Sequence, residues 1–306
     1  MTDGLGVTGN AAGQATGELD DGAVAPRVVA PPALPEQGRA RSMFDAYVTL
    51  MKSAVLQQFQ YRGPNYFYMI GMIAEPVVYL VVWSSIARSQ GGEVAGYTPG
   101  AFAAYYIVWT LVRNINIVFT PYGWEERIKQ GQLSGDLLRP IHPIHYDLAF
   151  FAGWKVVVIV LWLPIAAVLS LAFHPSLSPT ALQCVVFFFA LWGAYLIRSL
   201  NMWVVGMVTF WTTRVNAIFD VIFVAELLLS GRLVPLAIMP QWAQTLTWFF
   251  PFRWTFAFPI TALVGPITNE ELLGGLLMQL FWIGVGALGV RIVWKRAVRR
   301  FSAVGG

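Results

Sequence analysis

"RIKQGQLSGDLLRPIHPIHY", residues 127–146, separates two strongly apolar stretches in a chain that is 57% hydrophobic. The segment carries three cationic side chains, two glycines and two prolines. A polar, sharply bent connector between apolar runs reads as a loop leaving a membrane. Only 12% of the 306 residues are charged, and the mean hydropathy is +0.60. Soluble domains carry about 25% charged residues. The 13 tryptophans suit anchoring at a membrane interface. Composition therefore predicts one all-α polytopic membrane domain rather than two soluble ones. The net charge of +4 is unevenly spread and gives no argument for a nucleic-acid partner. The single cysteine, Cys184, allows no disulfide within the chain and no cysteine-based metal motif.

A helix needs about 20 residues to cross a bilayer core. Six apolar stretches are candidates: 66–87, 101–120, 148–172, 181–213, 215–235 and 272–294. Gly231 and Pro235 interrupt the fifth. Ahead of them, residues 1–41 are rich in Gly, Ala and Pro and are expected to form a disordered cytoplasmic tail. Residues 42–64 read as an amphipathic interfacial helix. Phe44, Val48, Met51, Val55 and Phe59 share one face, with Tyr47 and Ala54 beside them. Residues 65–300 then form a six-span domain. With the N-terminus inside, thirteen Lys and Arg flank the inner ends and only Arg88, Arg232 and Arg253 lie in outer loops. The positive-inside rule puts both termini and the 127–146 loop in the cytoplasm; the membrane expected is the plasma membrane.

Within the loop region, Pro121 and Gly123 are expected to end the second span. Glu125 to Gln130, including Glu126, Arg127 and Lys129, can form a short polar helix that Gly131 terminates. Asp136, Leu137, Leu138 and Arg139 can form one more turn before Pro140 and Pro143 extend the chain. Leu133, Leu137 and Leu138 are its apolar knobs. The residues alone suit either an ordinary solvated connection or a surface gripped by another protein.

"GQLSGDLLRPIHPIHY" resembles the cytoplasmic loop of type-2 ATP-binding-cassette (ABC) exporter permeases. That family has a Gly-x-Leu-x-x-x-Leu-Leu-x-Pro pattern after the second span, matched here by Gly131, Leu133, Leu137, Leu138 and Pro140. A second stretch, "SGRLVPLAIMPQWAQTLTWFFP" (230–251), is similar to the family's segment between spans five and six, through Ser230, Gly231, Pro235, Pro240, Trp242 and Pro251. The resemblance covers roughly residues 43–300. It implies that the 125–140 loop docks on an ATPase subunit and that 230–251 is re-entrant, dipping into the outer leaflet without crossing. It also implies a second permease protomer, identical or paralogous, and contact with membrane lipid. No G-x-x-x-x-G-K-[ST] phosphate loop occurs in the sequence. The chain is therefore expected to hold no cofactor and to be no enzyme itself, with ATP and Mg bound by the partner ATPase.

Six ionisable residues fall within the spans: Glu75, Arg113, Lys155, Arg198, Asp220 and Glu226. Intramembrane charges are costly and face partners or water. At about 1.5 Å per residue, their depths match in three opposite-charge pairs. The expected pairs are Glu75–Arg113, Lys155–Asp220 and Arg198–Glu226. Whether they are purely structural or line a substrate path stays open at this point. Glu75, Arg113 and Glu226 are the candidates for polar lining, and Pro76 is expected to kink the first span. His142, His145 and Asp147 lie close in sequence, but two loop histidines without a carboxylate scaffold read as solvated, so no metal site is expected. No H-E-x-x-H or G-x-S-x-G motif occurs. An ion-coupled secondary transporter and a polytopic membrane enzyme are the alternatives. The absence of an internal repeat and of catalytic motifs weighs against them.

Overall fold

The computed structural model describes residues 39–60, 62–94, 96–212 and 215–301, without the side chains of 39–42, 60, 62–70 and 72. The expected tail lies outside these residues apart from the start of the first helix. Among the described residues the chain is built from helices. These are α1 (Arg39–Gln60), α2 (Arg62–Ser89), α3 (Pro99–Ile115), α4 (Pro121–Lys129), α5 (Gln132–Leu137) and α6 (Pro143–Phe173). They continue with α7 (Ala181–Met207), α8 (Val215–Leu229), α9 (Gln241–Thr247), α10 (Phe252–Thr255), α11 (Ala257–Val264) and α12 (Asn269–Ala297).

Local sequence explains the helix starts. Thr98 caps α3 by accepting from the Ala101 amide at 3.2 Å. Thr180 with Gln183 and Thr268 with Glu271 form capping boxes at α7 and α12. Pro99, Pro121 and Pro143 occupy first-turn positions, where the missing N–H costs nothing. Pro121 therefore begins a new helix instead of ending the second span. That span stops at Ile115, and Gly123 lies inside α4. The fifth apolar stretch also stops early, at Leu229.

Among the described residues, three stretches are long and apolar enough to cross a membrane: Pro143–Phe173, Ala181–Phe210 and Asn269–Arg300. The helices in the other three expected spans are 28, 17 and 15 residues long. At about 1.5 Å per residue, α3 and α8 fall short of a hydrocarbon core of about 30 Å. Pro76 stands inside α2, which runs on past it.

The core centres on α3 and α7. α3 packs between α2 and α6 and also meets α11, while α7 packs along α12. Lipid tails are as apolar as leucine, so helices in a bilayer associate through close packing and interhelical hydrogen bonds. Both devices are present. Gln279 of α12 donates to the carbonyls of Ala190 and Trp254 at 3.0 and 2.8 Å. A side chain at Gly206 of α7 would put its Cβ 1.9 Å from Trp124, so this glycine lets α4 seat against α7. Phe102, Tyr105, Tyr106 and Trp109 line the buried side of α3.

On the expected interfacial helix, Phe44 and Phe59 are exposed, whereas Ala54 is buried. A Cβ on Gly153 of α6 would lie 2.5 Å from the Met51 carbonyl oxygen, so α1 rests closely on α6.

Candidate functional site

The loop after α3 folds into an elbow of two short helices. Gly131, at φ 71°, makes the left-handed turn between α4 and α5. Arg127 fastens the elbow to the bundle. Its guanidinium meets Asp147 of α6 through two contacts of 3.1 and 2.8 Å, and Asp136 of α5 at 3.5 Å. The same group stacks over Phe119, 4.4 Å from the ring centre. Asp147 also accepts from the Trp203 indole of α7 at 2.9 Å. Trp124 packs edge-on against Trp203 at 4.7 Å. Planar, forked hydrogen bonding of this kind fixes orientation as well as contact. One arginine thus joins α4, α5 and α6, and Asp147 extends the joint to α7.

The other loop residues divide by exposure. Leu133 is fully buried in a cluster with Trp124, Ile144, Leu200, Trp203, Met207 and Val290, so it is a core residue and not the surface knob expected of it. A six-residue helix carries too little periodicity for sequence to tell its faces apart. Leu138 is 88% exposed and Leu137 half-buried. Glu125 pairs with Lys129, and Glu126 accepts from Gln130 at 2.8 Å. Arg139 reaches Asp136 at 3.4 Å and covers Tyr146, and Pro140 is exposed.

His142 and His145 are not simply solvated. Nδ1 of His142 caps α6 by accepting from the Ile144 amide at 3.2 Å, and the ring packs 4.5 Å from Trp294. Burial, with a smaller contribution from His145, lowers the His142 pKa to about 4. His145 Nδ1 lies 2.8 Å from the Tyr47 hydroxyl of α1.

Deeper in the bundle, two of the three expected charge pairs form. Arg113 meets Glu75 at 2.8 Å, and Arg198 pairs with the buried Glu226. The third does not. Lys155 Nζ donates to the backbone carbonyls of Asn114, at 3.1 Å, and Ile117, at the frayed end of α3. Asp220 is exposed and accepts from the Tyr122 hydroxyl at 3.3 Å. Span counting gives depth but not rotation about the helix axis, and the early end of α3 offers Lys155 carbonyls that a continuous helix would have used.

Arg232, assigned by sequence to an outer loop, reaches Glu75 at 3.5 Å. The non-helical segment that carries it is held by side chains of α3. Tyr105 donates to the Gly231 carbonyl at 2.8 Å, Trp109 to Arg232 at 3.0 Å and Tyr106 to Leu233 at 3.1 Å. Irregular backbone away from water requires such partners. Gly231 has φ 82° and is buried with Pro235, Pro251 is half-buried, and Pro240 and Trp242 are exposed.

Sequence reading missed Asp147, Trp203, Arg232 and the α3 donors as site-forming residues. The run "AYYIVWT" (104–110) held a signal for the last of these. Tyr105, Tyr106 and Trp109 lie at i, i+1 and i+4, and each carries a hydrogen-bond donor on an apolar body.

A helical bundle with three helices long and apolar enough to cross a membrane, carrying a fastened polar elbow, defines a membrane protein. The family described as ABC-2 family transporter protein matches residues 73–305, and the chain belongs to it. It is a transmembrane ABC-type permease without an ATPase motif of its own. No sequence among the curated proteins matches it.

Proposed function

We propose that this chain is the membrane-spanning subunit of an ATP-driven exporter of amphipathic, lipid-like or drug-like molecules. On this reading six segments cross the plasma membrane with both termini in the cytoplasm, and 230–251 enters the outer leaflet and returns. Two permease protomers, identical or paralogous, enclose the path. Separate ATPase subunits bind ATP and Mg and grip the α4–α5 elbow.

The observation that carries the reading is the fastening of that elbow. Arg127 is shared by Asp136 and Asp147, and Asp147 is shared with Trp203. On this reading a push on α5 would be passed to α6 and α7 through this continuous polar joint. Leu138, 88% exposed beside this joint, offers an apolar surface for a partner. Exposed Trp242, Trp248 and Phe249 suit a segment resting at a membrane interface.

The test is co-expression of the full chain with candidate ATPase subunits, followed by co-purification and measurement of ATP hydrolysis with a panel of amphipathic compounds. The expected result is a stable complex that Leu138→Glu disrupts without unfolding the permease. Transport by the chain driven by an ion gradient without any ATPase would overturn the reading and favour a secondary transporter.

A further inference from the structure

A cavity of about 290 Å³ lies among α3, α7, α8 and the segment after Ser230. Its lining includes Arg113, Arg198, Arg232, Asn116 and Thr120, and no acidic residue. Glu75 pairs with Arg113 and Arg232, and Glu226 with Arg198. Lys155 stands behind the wall, bonded to the carbonyl of the lining residue Ile117. Asp220 is turned to Tyr122 and does not line the cavity. The three arginines thus share two carboxylates, leaving one positive charge without a counter-charge among the described residues.

Arginine stays protonated in proteins, so this surplus cannot be shed at the guanidiniums. Uncompensated charge within a bilayer is costly and marks sites that meet a ligand or ion. Further capacity is unmet. The buried Nε atoms of Arg198 and Arg232 have no hydrogen-bond partner, and neither has Asn116 Oδ1 or Glu226 Oε2. Both Asn116 Nδ2 bonds go to carbonyls, of Val112 and Thr255 at 2.9 and 2.8 Å, which fixes Oδ1 as the free atom. A group meeting both the surplus charge and the unpartnered acceptors would be anionic and carry a hydroxyl donor. A phosphate monoester has about −1.5 to −2 charges at neutral pH and an ionisable hydroxyl.

We propose that this cavity binds one phosphate group, either of a phosphomonoester lipid headgroup or of a soluble phosphate, through Arg113, Arg198 and Arg232. A second cavity of about 210 Å³ shares Arg198 and Met202; Glu226, held by Arg198, and Asn201 line it together with the apolar Val204, Val205 and Ile222. It offers room for an apolar portion beside the phosphate. The inference deepens the exporter reading, and rests on it for the statement that the bound group belongs to cargo.

The test is thermal unfolding of the full chain in phosphatidylcholine nanodiscs, titrated with inorganic phosphate, dihexanoyl phosphatidic acid or neutral dihexanoylglycerol. A ligand bound only by the folded state raises the unfolding temperature with concentration. The expected result is stabilisation by phosphatidic acid and none by the neutral lipid. Stabilisation by inorganic phosphate as well would assign the site to free phosphate, and its absence to the lipid headgroup. Arg232→Gln, which leaves Glu75 its closer partner Arg113, is expected to weaken binding about tenfold, a loss of one good charged contact.

Thr120→Asp gives a second variant that keeps the fold. Thr120 is the N-cap of α4 and makes no side-chain cap bond, and Asp is a favoured N-cap. It adds negative charge to the lining and is expected to abolish binding. Equal stabilisation by charged and neutral lipid, no stabilisation by any phosphate, or unchanged binding in both variants would overturn the proposal. Binding is measured without the ATPase, so failure here leaves the exporter reading intact, and failure to recover an ATPase complex leaves the site intact.

Discussion

Arg127 of the elbow and Asp147 of α6 meet in two guanidinium–carboxylate contacts of 3.1 and 2.8 Å, twenty residues apart in sequence. Both side chains are largely buried. Removing one partner of a buried pair costs about 3–5 kcal/mol because the other charge is left behind. Arg127→Ala is expected to destabilise the protein by that amount, read as a drop in the unfolding temperature in detergent. Arg127→Lys should recover little of it, since an ammonium cannot reproduce the forked contact. Full recovery by Lys would show that charge alone, without geometry, holds the joint.

Leu133 and Leu138 lie five residues apart but in opposite surroundings. Leu133→Ala is expected to cost about 2–5 kcal/mol of stability through the cavity it leaves. Leu138→Ala should change stability by no more than about 0.5 kcal/mol. It should nonetheless reduce ATP hydrolysis stimulated by the permease. Unfolding curves and ATPase assays on the same preparations separate the two effects, and a Leu138 variant with full stimulation would remove that side chain from the coupling surface.

Tyr105 donates to a carbonyl in a segment that has no helix to satisfy it. Tyr105→Phe keeps the ring and leaves the Gly231 oxygen unpartnered, at a cost of about 1–3 kcal/mol. Tyr79→Phe removes a longer, 3.4 Å bond to the half-buried Glu75 and should cost less. The comparison is made by chemical unfolding. A reversed order would mean that α3 does not hold the segment after Ser230.

His142 supplies a pH dependence with a definite sign. Its ordinary value of 6.5 falls to about 4 in the folded protein, first through burial. As pH drops below 6.5 the unfolded chain takes up the proton before the folded one, so stability declines. The decline ends once pH is below about 4, and stability is highest above 6.5. Protonation of Nδ1 would also remove the cap on the Ile144 amide. His142→Asn keeps a capping side chain and is expected to flatten this part of the unfolding temperature–pH profile. An unchanged profile in the variant would assign the dependence elsewhere.

Much of this was legible in the sequence. The apolar runs, the bent connector and the two family motifs fixed the class of protein. The Glu75–Arg113 and Arg198–Glu226 pairs followed from depth along the spans. Rotation about each helix axis was not legible, and for that reason Lys155 was matched with Asp220 when it caps a broken helix end. Nor could a short helix such as α5 reveal that Leu133 turns inward. The contact of Arg232 with Glu75 was not legible either, because a re-entrant reading of 230–251 does not say which side chain of the bundle the segment meets.

The bond from Lys155 to the Asn114 and Ile117 carbonyls has a mechanical meaning. A helix that satisfies its own final oxygens can slide past its neighbours, whereas α3 borrows its terminator from α6. A displacement of α6 relative to α3 would therefore have to carry the end of α3 with it or leave these carbonyls without their donor.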